Sequence, residues 1–298
     1  SSRTVITPAA TPREKTEEEL ARLMIGSEPP KLMHRTGKPG EPVLELLGVG
    51  LSGGRHVSGL SNIRLSVHAG EIVGIAGISG NGQSRLLGVC MGELPVEQGT
   101  VKIFGEPVND LTPEERRARG LRYVPEQRLG HGSVPEFSLL TNTLLTADNL
   151  HRRGFIDRDG ARRFTEEIIR SFDVKTPSVQ KAAQALSGGN LQKFIVGREI
   201  LQHPKILIVD QPTWGVDVGA ATVIRNALVE LRSQGAAIVV VSEEIDELYE
   251  ISDRIAVMYR GNMSPAVPVE SLSMEELGRW MAGLWTGSPF KHQAREAD

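Results

Sequence analysis

Three short runs of purely apolar residues constrain the fold of this 298-residue chain more than any other feature of its sequence. They lie at 206–209 (ILIV), 237–241 (AIVVV) and 255–258 (IAVM), and helix-like segments such as 221–232 separate them. A strand that is apolar on both faces is typical of a parallel sheet covered by helices on both sides, because each face is then buried. Alternation of such strands with helices predicts a doubly wound α/β core.

The overall composition argues against several classes of protein. The formal net charge is -3, so the sequence offers no broad basic field for a nucleic-acid backbone, and we expect no nucleic-acid partner. No apolar run approaches the roughly 18 residues of a membrane-spanning helix, so a role at a membrane would depend on docking to another protein. The single cysteine, Cys90, excludes an internal disulfide and favours a reducing compartment.

The first 40 residues differ in composition from the rest. Residues 1–15 are rich in Pro, Thr and Ala, and residues 31–42 are rich in Gly, Pro and basic side chains. Between them, Thr16 and Glu19 match a capping box and predict a short helix that runs to Met24. Together with a start at serine, this pattern predicts a linker or the tail of a preceding domain in a longer protein, although processing or cloning would also explain the missing methionine.

A glycine-rich loop follows the strand predicted at 71–76 and precedes a helix that we expect to begin near Gln83. It matches the phosphate-binding pattern G-x-x-x-x-G-K-[ST], in which glycines let backbone N–H groups converge on phosphate, except that Gln83 occupies the lysine position. The loss of one charge-assisted contact costs on the order of 1.5–3 kcal/mol, so we expect weakened nucleotide binding. An ordinary glycine-rich turn is the alternative. The candidate nucleotide-binding residues are Gly77, Ser79, Gly80, Asn81, Gly82, Gln83, Ser84 and Arg85.

Two further candidate sites lie at a predicted helix start and at a predicted strand end. The stretch 187–190 (SGGN) opens a helix expected over about 190–201, where backbone N–H groups and the positive end of the helix dipole would be available to an anion. A plain N-cap by Ser187 is the alternative. Asp210 follows the apolar run 206–209 and suits a Mg²⁺ site, whereas a turn or capping residue is the alternative there.

These motifs in combination resemble those of ABC-type ATPases. The stretch 186–193 (LSGGNLQK) is similar to the family signature L-S-G-G-Q, and 205–213 (KILIVDQPT) is similar to the Walker B strand, with Asp217 in the following D-loop. The resemblance covers about residues 43–284. It implies an α/β P-loop NTPase fold of the ABC ATPase type, with a mostly parallel core sheet, an antiparallel β subdomain and a helical subdomain.

In ABC ATPases the signature of one domain contacts the γ-phosphate of ATP held by the opposite domain. The resemblance therefore implies a phosphate contact in trans by Ser187, Gly188, Gly189 and Asn190. It also implies ATP and Mg²⁺ as cofactors, with Ser84 and Asp210 as the metal ligands.

Three catalytic positions of the family are degenerate in this chain. Gln211 stands where the general-base glutamate belongs, and Glu243 stands where the switch histidine belongs. Glu126 stands where the Q-loop glutamine belongs, unless Gln127 serves after a slip of one residue. A glutamine accepts no proton, so the contribution of a general base, roughly 10²–10⁴ in rate, is lost. We therefore expect this domain's own site to hydrolyse ATP poorly.

The combination of G-N-G-Q-S, D-Q-P-T and S-E-E resembles the second ATP-binding domain of tandem subunits in sugar and nucleoside importers, and 16–26 resembles the end of the first. This implies a partner ATP-binding domain in the same full-length chain, transmembrane permease subunits, and a cytoplasmic location on the inner face of the cell membrane. It divides the chain into a linker or tail of a preceding domain (1–41), an ATP-binding domain (42–285, helical subdomain about 130–200) and a C-terminal tail (286–298).

The family resemblance also suggests where this domain meets membrane subunits. In such proteins the movement passes through a groove between the core and the helical region. Phe137, Leu139 and Leu140 lie in an otherwise turn-rich segment and are candidates for that contact, with burial in the core as the alternative.

Two other functions stay open. A soluble ABC ATPase that acts on nucleic acid or the ribosome usually carries basic arms, whereas this chain has only short basic clusters such as 116–119 (RRAR). A structural or regulatory half without bound nucleotide would have no physical need of the loop glycines, Ser84 and Asp210.

Overall fold

The computed structural model of the chain describes residues 39–54, 57–147, 150–152 and 155–289. The helix predicted over residues 16–24 lies outside the described residues, as does most of the predicted C-terminal tail.

Strands and helices alternate along most of the described chain. The strands are β1 (Pro42–Leu51), β2 (Leu60–His68), β3 (Ile72–Ala76), β4 (Gln98–Ile103), β5 (Glu106–Pro107), β6 (Leu121–Val124), β7 (His151–Arg152), β8 (Phe155–Ile156), β9 (Ile206–Asp210), β10 (Ala237–Val241), β11 (Arg254–Tyr259), β12 (Asn262–Met263) and β13 (Val267–Pro268). The α-helices are α1 (Gln83–Met91), α2 (Pro113–Ala118), α3 (Leu139–Leu144), α4 (Arg158–Ser171), α5 (Gly188–Ile200), α6 (Val218–Ser233), α7 (Ile245–Ile251) and α8 (Met274–Met281).

The central sheet has the strand order β12-β11-β3-β10-β9-β6, and β13 also pairs with β11. The strands from β11 through β6 run parallel to one another, and β12 and β13 are antiparallel additions at one edge. Every residue of β3, β9 and β10 is buried, which explains why these strands are apolar without alternation. The predicted doubly wound α/β core with a mostly parallel sheet is confirmed.

Successive residues of the central strands face two separate cores. In β10, Ile238 and Val240 pack among residues of α4 to α8. Ala237, Val239 and Val241 face the other side, where α1 and the strands β1, β2 and β4 pack. The sheet is therefore covered on both sides, by helices on one side and by a helix with a second sheet on the other.

The second sheet is antiparallel, with the order β2-β1-β4-β5. Its strand β2 buries Ile63, Leu65 and Val67 and exposes Asn62 and Arg64. This is the alternation predicted for residues 62–68, because one face of the strand packs on the core and the other faces water.

The region between residues 139 and 200 is mostly helical. It holds α3, α4 and α5, and the short hairpin of β7 and β8. Helix α5 is buried at every position from Leu191 to Ile200, because it packs against α4, α6 and β6 together. Leu139 is fully buried, as the core interpretation predicted for it, whereas Phe137 is 43% exposed.

One local prediction is also confirmed by the structure. Thr112 caps α2 through the predicted capping box, in which its hydroxyl accepts from the Glu115 backbone N–H and the Glu115 carboxylate accepts in return. Within the described ranges, no helix combines the length and apolar character that crossing a bilayer requires.

Candidate functional site

The candidate residues of the domain's own site lie on loops at one edge of the central sheet. The glycine-rich loop follows β3, Glu126 follows β6, Gln211 follows β9, and Glu243 follows β10. These four strands are parallel, so their carboxyl ends meet at the same edge. The fold alone therefore brings together residues that are as much as 166 positions apart in sequence, from Gly77 to Glu243.

The loop between β3 and α1 depends on its glycines. Gly77, Gly80 and Gly82 have φ values of 149°, 87° and 109°, in the region that favours glycine. A Cβ atom at Gly77 would lie 2.6 Å from the carbonyl oxygen of Met258, whereas a Cβ at Gly80 would meet nothing within 4 Å. Beside Gly80 the loop is thus open to a ligand, and Ser79 is exposed next to it.

The Gln83 side chain folds back onto its own loop. Its Nε2 donates to the carbonyl oxygen of Ile78 at 3.1 Å, and the residue is only 7% exposed. It lies so close to the loop backbone that a Cβ at Gly77 would be 2.7 Å from Nε2. The amide of Gln83 therefore donates to a carbonyl oxygen of its own loop. Because it is uncharged, it presents no positive charge to a phosphate.

The other long polar side chains of the loop are also held by the protein. Asn81 Oδ1 accepts from the backbone N–H of Arg260 at 2.8 Å, and Arg85 Nη2 donates to the carbonyl oxygen of Ser52 at 2.6 Å. These contacts fix the loop against the turn after β11 and the end of β1. Ser84, at the start of α1, remains exposed.

Ser84 and Asp210, the predicted metal ligands, line one cavity of about 710 Å³ together with Glu126. Burial raises the pKa of Asp210 to about 7, and repulsion from Glu126 and Glu243 adds to this effect. A divalent cation would relieve both, and a hydroxyl with a carboxylate are oxygen ligands of the kind that Mg²⁺ prefers. In the described part of the chain, no three His, Cys, Asp or Glu side chains are placed to hold a metal ion by themselves. A Mg²⁺ that also binds phosphate and water needs only one or two protein ligands, so the residues fit that ion.

Gln211 occupies a strained backbone conformation beside Asp210. Its φ is 50°, which costs on the order of 1–3 kcal/mol for a residue other than glycine. The conformation is held because the Gln211 N–H donates to the carbonyl oxygen of Val241 at 2.8 Å, and its Oε1 accepts from the Glu243 N–H at 3.2 Å. The amide at this position is thus fixed in place but has no group that takes up a proton. Glu126 and Glu243 both carry exposed carboxylates.

The tip of α5 (Ser187–Asn190) is built differently from an ordinary capped helix. Ser187 has the extended backbone of an N-cap residue, but its side chain accepts no hydrogen bond from a backbone N–H of the first turn. Its Oγ instead accepts from Asn190 Nδ2 at 2.9 Å, and Asn190 Oδ1 accepts from the Lys175 N–H at 2.8 Å. Ser187 is therefore the N-cap residue by its backbone conformation, but its side chain does not cap the helix. Ser187 and Gly188 are exposed, so the first-turn N–H groups face a surface that another molecule can reach.

Close packing explains why glycines follow Ser187. A Cβ at Gly188 would lie 2.8 Å from Arg128 Nη1, and a Cβ at Gly189 would lie 3.2 Å from Asp217 Oδ2. Asp217 itself caps α6, because its Oδ1 accepts from the Ala220 N–H at 2.9 Å. The tip of α5 and the loop after β9 are consequently in direct contact.

One residue at this contact was missed by the sequence analysis. Arg128 donates to Gln192 Oε1 on α5 at 3.0 Å and, through Nη2, to the carbonyl oxygen of Trp214. The sequence shows only an arginine in a turn-rich stretch two residues after Glu126, which does not reveal these distant partners.

The comparisons with known proteins agree with this geometry. The family model described as ABC transporter matches residues 60–214. The chain is 38% identical over 275 residues to the guanosine import ATP-binding protein NupO of Bacillus subtilis, covering 91% of this chain and 54% of that protein. It is also 38% identical to the ribose import ATP-binding protein RbsA 1 of Rubrobacter xylanophilus, covering 87% of this chain and 52% of that protein. The chain thus spans about half the length of the curated relatives it matches.

Solved structures show the same fold. The dimeric ATP-binding cassette MJ0796, in a post-hydrolysis state bound to ADP and Pi, superposes with a TM-score of 0.67 at 25% identity and covers 76% of this chain and 98% of that one. A nucleotide-free ATP-binding cassette from an ABC transporter superposes with a TM-score of 0.65 at 22% identity, over 81% of this chain and 96% of that one. With the sequence relatives above, these matches establish that the chain belongs to the ABC transporter family and has the ABC ATPase fold.

Proposed function

We propose that this chain is the second, hydrolytically impaired ATP-binding domain of a tandem subunit that energises import of a nucleoside or sugar. It lends the tip of α5 to an ATP site on a partner domain. The observation that carries this proposal is a contrast between two sites. The tip of α5 is exposed and has no side-chain cap, whereas the domain's own pocket has Gln83 and Gln211 where the family pattern has a lysine and a carboxylate.

We expect the domain's own pocket to retain some nucleotide binding but little ATP hydrolysis. The glycine-rich loop and Ser84 are our candidates for phosphate binding, and Ser84 with Asp210 would hold Mg²⁺, which neutralises phosphate charge when bound. Gln83 brings no cation, because a glutamine amide is uncharged, and its Nε2 already donates to Ile78. Gln211 cannot accept the proton of an attacking water. Nucleotide in this pocket would therefore be bound weakly and hydrolysed slowly.

At the partner's site, the tip of α5 supplies hydrogen-bond donors. Asn190 occupies the acceptor side of the Ser187 hydroxyl, so its O–H is free to donate outward. With the first-turn N–H groups and the helix dipole, this makes a surface suited to a phosphate presented by another domain. Contact between the tip and bound ATP closes the two domains, and hydrolysis of the ATP lets them separate again.

The partners follow from the relatives. Proteins named for guanosine and ribose import match 91% and 87% of this chain, so we propose permease subunits and a position on the cytoplasmic face of the cell membrane. The ATP-binding domain would span residues 42–285, after a linker from the first domain. Phe137, exposed in the turn before α3, is our candidate for the permease contact.

The first test compares two substitutions in the full-length protein with its permease subunits. Ser187→Arg places a bulky side chain at the α5 tip and is expected to abolish transport-coupled ATP hydrolysis, whereas Gln83→Ala is expected to leave most of it. Ser233→Arg, at an exposed position near the end of α6, serves as the matched control. Equal losses from Ser187→Arg and Gln83→Ala would refute the division of labour.

The second test uses the isolated domain, for which we expect little ATPase activity. Robust turnover would overturn the impaired-site proposal. Titration of the domain with labelled ATP and Mg²⁺ distinguishes weak nucleotide binding from no binding. The internal hydrogen bond of Gln83 favours a second candidate function, a structural or regulatory half that binds no nucleotide. Saturable binding that Asp210→Asn weakens would support the nucleotide-binding function.

A further inference from the structure

Arg128 lies between the first two turns of α5 and the loop after β9. Its Nε donates to Gln192 Oε1 at 3.0 Å, in the second turn of α5, and its Nη2 donates to the carbonyl oxygen of Trp214, in the loop after β9. Its Nη1 is close enough to Gly188 that a Cβ there would stand 2.8 Å away. The guanidinium group of Arg128 thus contacts the α5 tip, the body of α5 and the loop after β9.

Gln192 closes the arrangement into a ring. It is fully buried, and while its Oε1 accepts from Arg128, its Nε2 donates to the carbonyl oxygen of Pro212 at 2.9 Å. The loop after β9 is therefore held to α5 twice, directly by Gln192 and again through Arg128. We call this set of Arg128, Gln192, Pro212 and Trp214 the Arg128 bridge.

The segment that carries Arg128 is also attached to α5 farther along the helix. Arg198 Nη2 donates to the carbonyl oxygen of Gly132 at 2.9 Å, and Ser133 Oγ donates to the carbonyl oxygen of Arg128 at 2.8 Å. Residues 128–133 are thus hydrogen-bonded to α5 at Gln192 and at Arg198, while the Trp214 contact joins the same segment to the loop after β9. Of these contacts, only those of the Arg128 bridge join the helical region to the loop that follows Asp210.

We propose that Arg128 is a positioning residue that sets the α5 tip relative to the loop after β9, and so determines whether Ser187 and Gly188 reach a phosphate on the partner domain. This inference rests on the function proposed above. Arg128 acts through the placement of the tip and has no role in binding nucleotide in its own pocket. The planar fork of arginine suits the task, because it reaches two acceptors in fixed directions, whereas lysine places a single ammonium.

The experiment uses the full-length protein with its permease subunits and measures kcat, KM for ATP and substrate transport. Arg128→Gln is expected to lower kcat roughly tenfold to hundredfold, because a small misplacement of a contacting group has an effect of that size, with KM for ATP changed by less than about threefold. Arg128→Lys is expected to restore only a minor part of the loss. Full restoration by lysine would show that charge alone matters and would overturn the bridging role.

A double-variant comparison distinguishes positioning from direct phosphate contact. If Arg128 works through Gln192, then Arg128→Gln together with Gln192→Leu should be no worse than the more severe single variant. Multiplied losses in kcat would overturn the positioning role and favour a separate contact of Arg128 with phosphate. Arg163→Gln, at an exposed arginine of α4, is the matched control and should match the wild type.

Thermal unfolding and a reference variant keep failure of this inference apart from failure of the proposed function. Arg128→Lys should unfold within a few degrees of the wild type, so that its kcat loss is not a folding defect. If Ser187→Arg abolishes turnover and the Arg128 variants keep the wild-type kcat, the Arg128 bridge is refuted and the trans site stands. If Ser187→Arg itself has no effect, the proposed function is wrong and the bridge has no site to position.

Discussion

At the scale of single residues, the proposal of an impaired pocket depends on two glutamines, Gln83 and Gln211. Each replaces a charged group of the family pattern by an amide of similar size, and each amide is used by the backbone around it. Gln83 donates to Ile78, and Gln211 accepts from Glu243. The substitutions therefore leave the loops well ordered while removing one positive charge and one proton acceptor. Binding and catalysis should consequently be restorable one at a time.

Gln83→Lys should strengthen binding without restoring turnover. A lysine at this position adds a charge-assisted contact with phosphate, so we expect the affinity of the isolated domain for Mg-ATP to rise roughly tenfold to hundredfold. Titration with a fluorescent ATP analogue measures this. Gln83→Leu, which removes the bond to Ile78 without adding charge, is the control and should show no gain. Rapid hydrolysis by Gln83→Lys alone, without Gln211→Glu, would contradict the assignment of Gln211.

Asp210 should make the stability of the nucleotide-free and Mg²⁺-free domain depend on pH. Its pKa is about 7 in the folded protein against an ordinary 3.8, so the folded state holds the proton more tightly than the unfolded state does. The carboxyl therefore favours folding at low pH, and this contribution is lost as pH rises from about 4 through 7. Asp210→Asn removes the titration, so the free energy of unfolding should shift in favour of the variant by at most about 4 kcal/mol between pH 4 and pH 8.

Urea unfolding of wild type and variant across that pH range checks the prediction. Asp110→Asn, at an exposed aspartate, is the control and should track the wild type. A difference between Asp210→Asn and wild type that does not vary with pH would contradict the burial argument.

At the scale of secondary-structure elements, α5 connects packing to function. Its body is buried all round, so its position is set by its neighbours, while Ser187 and Gly188 of its tip are exposed. Gly197 is part of that packing, because a Cβ there would stand 2.5 Å from Cδ2 of the Phe172 ring. Little adjustment is available to a ring that is itself 4% exposed.

A pair of glycine substitutions tests this packing. Gly197→Ala should destabilise the domain by about 1–3 kcal/mol through overpacking, despite the better helix propensity of alanine. Gly278→Ala in α8, where a Cβ meets nothing within 4 Å, should instead stabilise it by up to about 1 kcal/mol. Chemical denaturation of both variants provides the measurement. Stabilisation by both substitutions would show that α5 is packed less tightly than the structure indicates.

The elements were largely predictable from the sequence, because their signals are local. Apolar runs marked β9, β10 and β11, and the capping box at Thr112 marked the start of α2. For α5 the sequence indicated one apolar face, but burial on all sides depends on neighbours distant in the chain. For the candidate site, the sequence proposed residues through their motifs, but it did not predict the hydrogen bond of Gln83 to Ile78 or that of Arg128 to Trp214. Those features arise from contacts between separate loops, for which a single sequence carries no pattern.

At the scale of the whole molecule, the asymmetry between exposed tip and altered pocket predicts unequal nucleotide sites in the full-length protein. After trapping with vanadate and a photoreactive ATP analogue, we expect label predominantly on the partner domain, because only that site combines this chain's α5 tip with its own catalytic groups. Mass spectrometry of the cleaved domains measures the distribution. Gln83→Lys with Gln211→Glu should move the labelling towards equality. Equal labelling of both domains in the wild type would contradict the proposal.

The uncapped start of α5 has a consequence for how this domain can change over evolutionary time. A side chain that accepted the free N–H groups of the first turn would make the isolated domain more stable by about 0.5–2 kcal/mol. It would also occupy the donors that we propose for a partner domain's phosphate, so variants selected for stability alone should lose activity. The exposed tip at Ser187 and Gly188 is thus a place where durability and activity oppose each other.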